Sequence, residues 1–179
     1  ASATYAVTQP ATGLAFAPSV VNNPSCFGYS DGSATVNAAG GAGSVSYLWT
    51  PSGQTTATAT NLSAQTYTVV ATDDSSCTST TTVTPVNPPQ LQITGVVTDV
   101  NCFGGTDGAI NVTVTNAVPT ASYQWFSGQN TEDLTGITAG NYNVTVTDGN
   151  SCTAISSFVV NEPAALVINQ PTITNVACF

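Results

Sequence analysis

The chain of 179 residues contains no lysine, no arginine, no histidine and no methionine, against nine Asp and Glu. An ordinary soluble domain draws about a quarter of its residues from Asp, Glu, Lys and Arg; here the share is 5%. Each missing residue type removes a class of function. Without a cation the chain cannot neutralise phosphates, so nucleic acid is excluded as a partner. An anionic membrane surface is equally unsuited. No His base, Lys nucleophile or Arg clamp is available, so an enzyme is not expected. Side-chain ion pairs cannot form, and trypsin finds no cleavage site. Long apolar runs are also missing, and none approaches the ~18 residues of a membrane span. There is neither an initiator methionine nor a basic leader with an apolar run behind it, so the chain is expected to be a processed or excised piece.

What is present is a repeat. Cys26-Phe27-Gly28 recurs as Cys102-Phe103-Gly104 and starts again at Cys178-Phe179, at intervals of 102 − 26 = 76 and 178 − 102 = 76. Ser30-Asp31-Gly32 moves in step with Thr106-Asp107-Gly108, Tyr47-Leu48-Trp49 with Tyr123-Gln124-Trp125, and Tyr67 with Tyr142. Several landmarks in one register define a tandem array. The expected division is the end of a preceding repeat at 1–13, repeats at 14–89 and 90–165, and the start of a following repeat at 166–179. Pro10, Pro85, Pro88, Pro89 and Pro163 mark the seams as stiff, extended connectors.

Asn141–Cys152 shows the local pattern most clearly. Tyr142, Val144, Val146 and Asp148 alternate with Asn143, Thr145 and Thr147, the period of a half-buried strand, and a turn and a cysteine follow. Strands are expected at Leu91–Thr98, Ala109–Thr115, Ala121–Phe126, near Thr131–Leu134, at Asn141–Thr147 and at Thr153–Val160. No window has a helical apolar stripe. Short strands at this spacing predict an all-β fold of tandem immunoglobulin-like β-sandwich domains.

Five cysteines and no histidine argue for disulfides over zinc or a nucleophile, since Cys-x-x-Cys pairs and a His partner are both missing. Four strands reversing in turn after the first cysteine of a repeat would return the chain to the end where it began. That parity pairs Cys26 with Cys77 and Cys102 with Cys152, one disulfide per domain, leaving Cys178 to pair beyond the chain's last residue. Disulfides imply an oxidising, extracellular setting.

The same parity brings Asp31 towards Asp73 and Asp107 towards Asp148. A shared Ca²⁺ site is one reading of each pair; turn-capping carboxylates are the favoured one, because no Asp-x-Asp-x-Asp cluster occurs. Otherwise no cofactor is expected. Trp49 and Trp125 read as core tryptophans of the third strand rather than sugar platforms, and Tyr67 and Tyr142 as corner tyrosines. Glu132-Asp133 reads as a solvated edge rather than a glycosidase pair, because neighbours on a strand point to opposite faces. Asn61-Leu-Ser, Asn111-Val-Thr and Asn143-Val-Thr match the N-glycan sequon, and the abundant Ser and Thr leave O-glycosylation open.

Cys102-Phe103-Gly104-x-x-Asp107-Gly108, the Tyr-x-Trp of each repeat, and Ala139-Gly140-x-Tyr142-x-Val144-x-Val146-x-Asp148-x-x-x-Cys152 together resemble the SprB-type repeat. That repeat occurs in very large secreted surface adhesins of Bacteroidota, including gliding-motility adhesins. The resemblance spans essentially the whole chain. It departs from the pattern at Asn116–Pro119, which replaces Gly40-Gly41, and at Gln65, which replaces a turn glycine. It implies a cell-surface location, a long fibrous parent and no catalytic residues. The expected partners are neighbouring repeats, laterally associated copies in a filament, and surface glycans. A carbohydrate-binding array and an accessory region of a secreted hydrolase are the alternatives.

Overall fold

The computed structural model describes residues 12–171, so Cys178 and most of both partial repeats lie outside it. Among the described residues there is no helix. The first repeat contributes β1 (Ala15–Phe16), β2 (Val20–Asn22), β3 (Gly32–Thr35), β4 (Ala38–Ala39), β5 (Val45–Thr50), β6 (Thr58–Leu62), β7 (Tyr67–Asp73) and β8 (Thr78–Val83). The second contributes β9 (Gln92–Thr98), β10 (Gly108–Thr115), β11 (Ser122–Trp125), β12 (Leu134–Ile137), β13 (Gly140–Thr147) and β14 (Thr153–Val160). Packing divides the chain into two compact units. One holds the described residues up to Gln90 together with Asn150–Cys152; the other holds Leu91–Gly149 and the described residues from Thr153 onward.

Each repeat builds the same pair of antiparallel sheets. In the first they run β2-β3-β6 and β5-β7-β8, with β1 and β4 as a small ribbon; in the second they run β9-β10-β12 and β11-β13-β14. Alternation along the strands decides what each core receives. Tyr67, Val69, Ala71 and Asp73 are the buried half of β7, and Val144 and Val146 are buried from β13 with Asp148 just beyond it. Val36, Trp49, Leu62 and Val69 centre the first core; Ile110, Trp125, Val144, Val146 and Val160 centre the second. Trp125 meets Phe158 with ring centroids 6.2 Å apart. The edge of that phenylalanine lies where a β-carbon on Gly95 would stand, so β9 passes β14 closely only because residue 95 has no side chain. The fourth strand of the second repeat begins at Leu134, later than the Thr131–Leu134 expected. Thr131 and Asp133 instead form a loop in which the Thr131 hydroxyl donates to the Asp133 carbonyl.

Strand direction sets where the loops lie. Gly32 pairs with Leu62, and the Tyr67 hydroxyl accepts from the Ser63 amide at 3.1 Å, so Gly32, Leu62 and the start of β7 share one pole. β7 then runs to the opposite pole, where Asp73 pairs with Val45. Both β5 and β6 run away from that second pole, one antiparallel to β7 and the other to β3. Two consecutive strands therefore point the same way, and the chain makes one fewer net reversal than simple alternation supplies. Cys26, beside the loop closed by Asp31, lies at the Gly32 pole; Cys77, whose amide donates to Asp73, lies at the other. The second repeat repeats this layout: Cys102 lies near Gly108, and Cys152 follows β13 beyond Thr147.

The pairing expected from alternation is thereby corrected. The seven residues of β7 separate Cys26 from Cys77 by roughly 20 Å, at about 3.4 Å per residue, whereas a disulfide holds its Cα atoms within about 7 Å. The structure joins Cys26 to Cys152 instead, 126 residues apart, with Cα atoms separated by 5.5 Å. Cys77 and Cys102 are exposed free thiols. Closing so long a loop is worth about 5 kcal/mol in the chain-entropy model. We expect Cys152→Ser to lose about 2–5 kcal/mol in urea unfolding, and Cys77→Ser to stay within about 0.5 kcal/mol of the parent. Equal losses at the two positions would restore the within-repeat pairing.

Candidate functional site

The residues singled out by the repeat gather at the poles. At the first pole, Ser25 gives both its amide and its hydroxyl to Asp31, and the Asn101 amide does the same for Asp107 at 3.1 Å, with the Asn101 side-chain amide as a second donor. These bonds hold the Asp31 and Asp107 carboxyls below the usual carboxylate range, the side-chain donor being the larger cause in both. Inside the loops, Tyr29 donates to the Cys26 carbonyl and Gly105 to that of Cys102. The intervening glycines sit in the left-handed region, Gly28 at φ 79° and Gly104 at φ 69°.

A second set of bonds ties each Cys-Phe-Gly loop to the connector that follows its sandwich. Gly28 donates to Asn87 at 3.1 Å and Gly104 to Glu162 at 2.7 Å. In return Val86 donates to Asn23 and Asn161 to Asp99. Sequence reasoning missed these four latching side chains. Their signal was present as the spacing of the repeat, 162 − 87 = 75 and 99 − 23 = 76, but hidden because Asn in one repeat answers to an acid in the other.

At the far pole, Asp73 is 5% exposed and accepts from the amides of Ala42, Ser75 and Cys77 at 2.8–2.9 Å. The Ala42 bond is the largest cause of its lowered pKa, followed by that of Cys77, with burial opposing. Asp148, 6% exposed, accepts from Val118. The loops that deliver these amides differ in kind. Gly41 has φ 74° and approaches Asp73 so closely that a β-carbon there would overlap the carboxylate; in the second repeat Asn116 and Thr120 supply the left-handed turns, at φ 62° and 78°. Asp31 and Asp73 thus occupy opposite poles, as do Asp107 and Asp148. The shared Ca²⁺ site suggested by parity is not assembled from these pairs. Among the described residues no group of three or more His, Cys, Asp or Glu is placed to hold a metal.

Trp49 and Trp125 are 0% and 1% exposed, and their indole N–H groups donate to the carbonyls of Thr56 and Thr131. The Tyr67 hydroxyl accepts from Ser63, while that of Tyr142 donates to the Thr138 carbonyl at 2.9 Å. Asp133 is not an idle edge. It accepts from the Val112 amide at 2.8 Å and the Asn111 side chain at 3.1 Å, securing the loop to β10. Burial, then a hydrogen bond with Glu132, pushes the Tyr123 hydroxyl up.

The outer face of β11-β13 carries a shallow groove of about 310 Å³ lined by Gln124, Trp125, Phe126, Gly128, Asn143 and Thr145. Phe126 is 93% exposed there.

Comparison with known proteins finds the SprB repeat model matching twice, at residues 19–54 and 94–130. No curated protein matches the chain. Among solved structures, murine CEACAM1b aligns at 13% identity and a TM-score of 0.31, covering 82% of this chain and all of that one. The amphioxus IgVJ-C2 molecule aligns at 13% identity and 0.27, covering 83% and 96%.

The carboxylate network predicts a pH dependence. A folded pKa below the unfolded value means the unfolded chain binds more protons. The Asp73 contribution is therefore complete above about pH 4, the unperturbed carboxylate range, and is lost as pH falls through the depressed folded value. Stability against urea should fall on acidification below that range, and Asp73→Asn should be less stable at neutral pH with a flatter acid limb. An unchanged acid limb in the variant would remove Asp73 from this role.

Proposed function

We propose that this chain, which carries the SprB repeat at two places, is a non-catalytic stretch of an extracellular surface adhesin in which sandwiches follow one another to form a stalk or filament. The observation that carries this reading is the duplication itself. Two matches displaced by 94 − 19 = 75 residues fall on two sandwiches with the same strand order, the same poles and the same latches. Stacked units of this kind add length while each keeps its own core. A chain without cations presents no basic side chain for an anionic surface to hold. Neighbouring repeats and laterally associated copies are the partners this reading requires.

Antibody raised against the folded chain should label intact source cells, and electron microscopy of native, unreduced material should show the label along extended structures. Labelling confined to permeabilised cells would overturn the reading.

One observation favours a second reading, in which the second repeat also binds carbohydrate. Phe126 stands exposed beside the amides of Gln124 and Asn143 and the Thr145 hydroxyl, an apolar ring with hydrogen-bonding neighbours. The equivalent positions of the first repeat hold Thr50, Leu48, Thr68 and Val70, so the surface is not part of the shared frame. Immobilised neutral glycans should retain the chain, and Phe126→Ala should abolish the retention. Equal binding by the variant would dismiss the groove.

A further inference from the structure

Three Asn-x-Ser/Thr triplets begin on strands, at Asn61, Asn111 and Asn143, and the fold treats each differently. Asn61 turns left-handed at φ 56°, and its triplet ends on Ser63, whose hydroxyl lies 3.2 Å from that of the corner Tyr67. Asn111 gives its side-chain amide to Asp133 at 3.1 Å, the carboxylate that also holds the Val112 amide. A substituent on that nitrogen would crowd the anchor of the loop. Asn143 is exposed on the outer face of β13, and its side-chain amide has no hydrogen-bond partner among the described residues. Thr145, the last residue of its triplet, looks the same way, because residues two apart on a strand share a face.

Phe126 stands across from this amide. Its backbone N–H donates to the Asn143 carbonyl at 2.9 Å, continuing the register that sets Trp125 against Val144. Directly opposed residues on neighbouring strands hold their β-carbons about 5 Å apart. A free acceptor amide therefore lies one strand spacing from an aromatic ring that is 93% exposed. Gln124, opposite Thr145, completes the square around the groove. The first repeat has Thr50, Leu48, Thr68 and Val70 at the four positions, so ring and acceptor are absent together. A ring so bare leaves apolar surface in water. A pyranose with one face of C–H groups would cover it and keep its hydroxyls solvated.

We propose that Asn143 carries an N-linked glycan whose first sugar ring lies over Phe126. The modification is a glycosyl transfer. Asn143 Nδ2 bonds to the anomeric carbon of a glycosyl diphosphate, the bond from that carbon to the diphosphate oxygen breaks, the amide gives up one proton, and the diphosphate ester leaves. Thr145 supplies the hydroxyl that the transferase reads beside the acceptor. The inference rests on the carbohydrate reading of this groove and names its first occupant as a sugar attached to the chain itself.

The test uses native protein from the source cells. Chymotrypsin, cutting after Tyr142 and Phe158, releases peptide 143–158. We expect its mass to be raised by an oligosaccharide that peptide N-glycosidase removes, with fragment ions placing the resulting acid at residue 143. The peptide holding Asn111 should show no added mass. In NMR spectra of the intact glycoprotein, C–H protons of the first sugar should be shifted upfield by the Phe126 ring. Phe126→Ala, expressed in the same cells, should return them to their free values and keep the glycan. An unmodified Asn143, or attachment at Asn111 in its place, overturns the proposal. Sugar resonances identical in the parent and Phe126→Ala overturn the placement on the ring. The unmodified chain still reports on the groove through its retention by immobilised glycans, so the two readings fail separately.

Discussion

A chain without a single cation must find other partners for its carboxylates, and in this protein the backbone supplies them. Eight of the nine acids accept a main-chain N–H: Asp31, Asp73, Asp74, Asp99, Asp107, Asp133, Asp148 and Glu162. The ninth, Glu132, is bonded by Tyr123. Hydrogen bonds to an ionised acceptor are roughly twice as strong as neutral ones, and these close loops or fasten a loop to a strand or a connector. Charge is therefore spent on the irregular backbone between strands, where main-chain donors lack ladder partners. Within the strands only the Val112 amide of β10, bonded by Asp133, draws on it. Their Thr-rich faces are neutral, and their cohesion comes from ladders and from two cores built around a tryptophan and a set of valines.

This division explains what the sequence made legible. Alternation identified β7 and β13 because a half-buried strand must repeat every two residues, and repeat spacing placed Trp49, Trp125, Tyr67 and Tyr142 at equivalent positions. The direction of β5 and β6 left no such trace. Both are short, they belong to different sheets, and the segment between them carries the chain back without a hairpin. Nothing in local pattern distinguishes that from one more reversal. The parity argument failed at this one step, and the cysteine pairing and the paired-aspartate reading failed with it. The latches at Asn23, Asn87, Asp99 and Glu162 were obscure for another reason: an acceptor oxygen is all the backbone requires, so Asn and acids interchange across the repeat. The loops facing Asp73 and Asp148 show the same tolerance, one using glycines and the other Asn116 and Thr120 to turn an amide inward.

What differs between the repeats lies outside this frame. Leu48, Thr50, Thr68 and Val70 on the outer sheet of the first repeat give way to Gln124, Phe126, Asn143 and Thr145 on the second, while the residues beneath them keep their kind. A frame held by cores and backbone latches allows the exposed face to vary, because none of its side chains supports the fold.

The polar separation of the cysteines adds an energetic consequence. A repeat whose two cysteines lie a strand's length apart gains no loop-closure stabilisation of its own, because neither can reach the other without dismantling the sandwich. Its independent stability rests on the core and the carboxylate latches. Covalent constraint arises only where a first-position loop meets a second-position turn from elsewhere, so it belongs to the array rather than to the unit. In a quasi-one-dimensional protein, stability is a sum of unit terms and nearest-neighbour terms. Here strand direction assigns the disulfide to the neighbour term, and with it the part of stability that an oxidising environment controls.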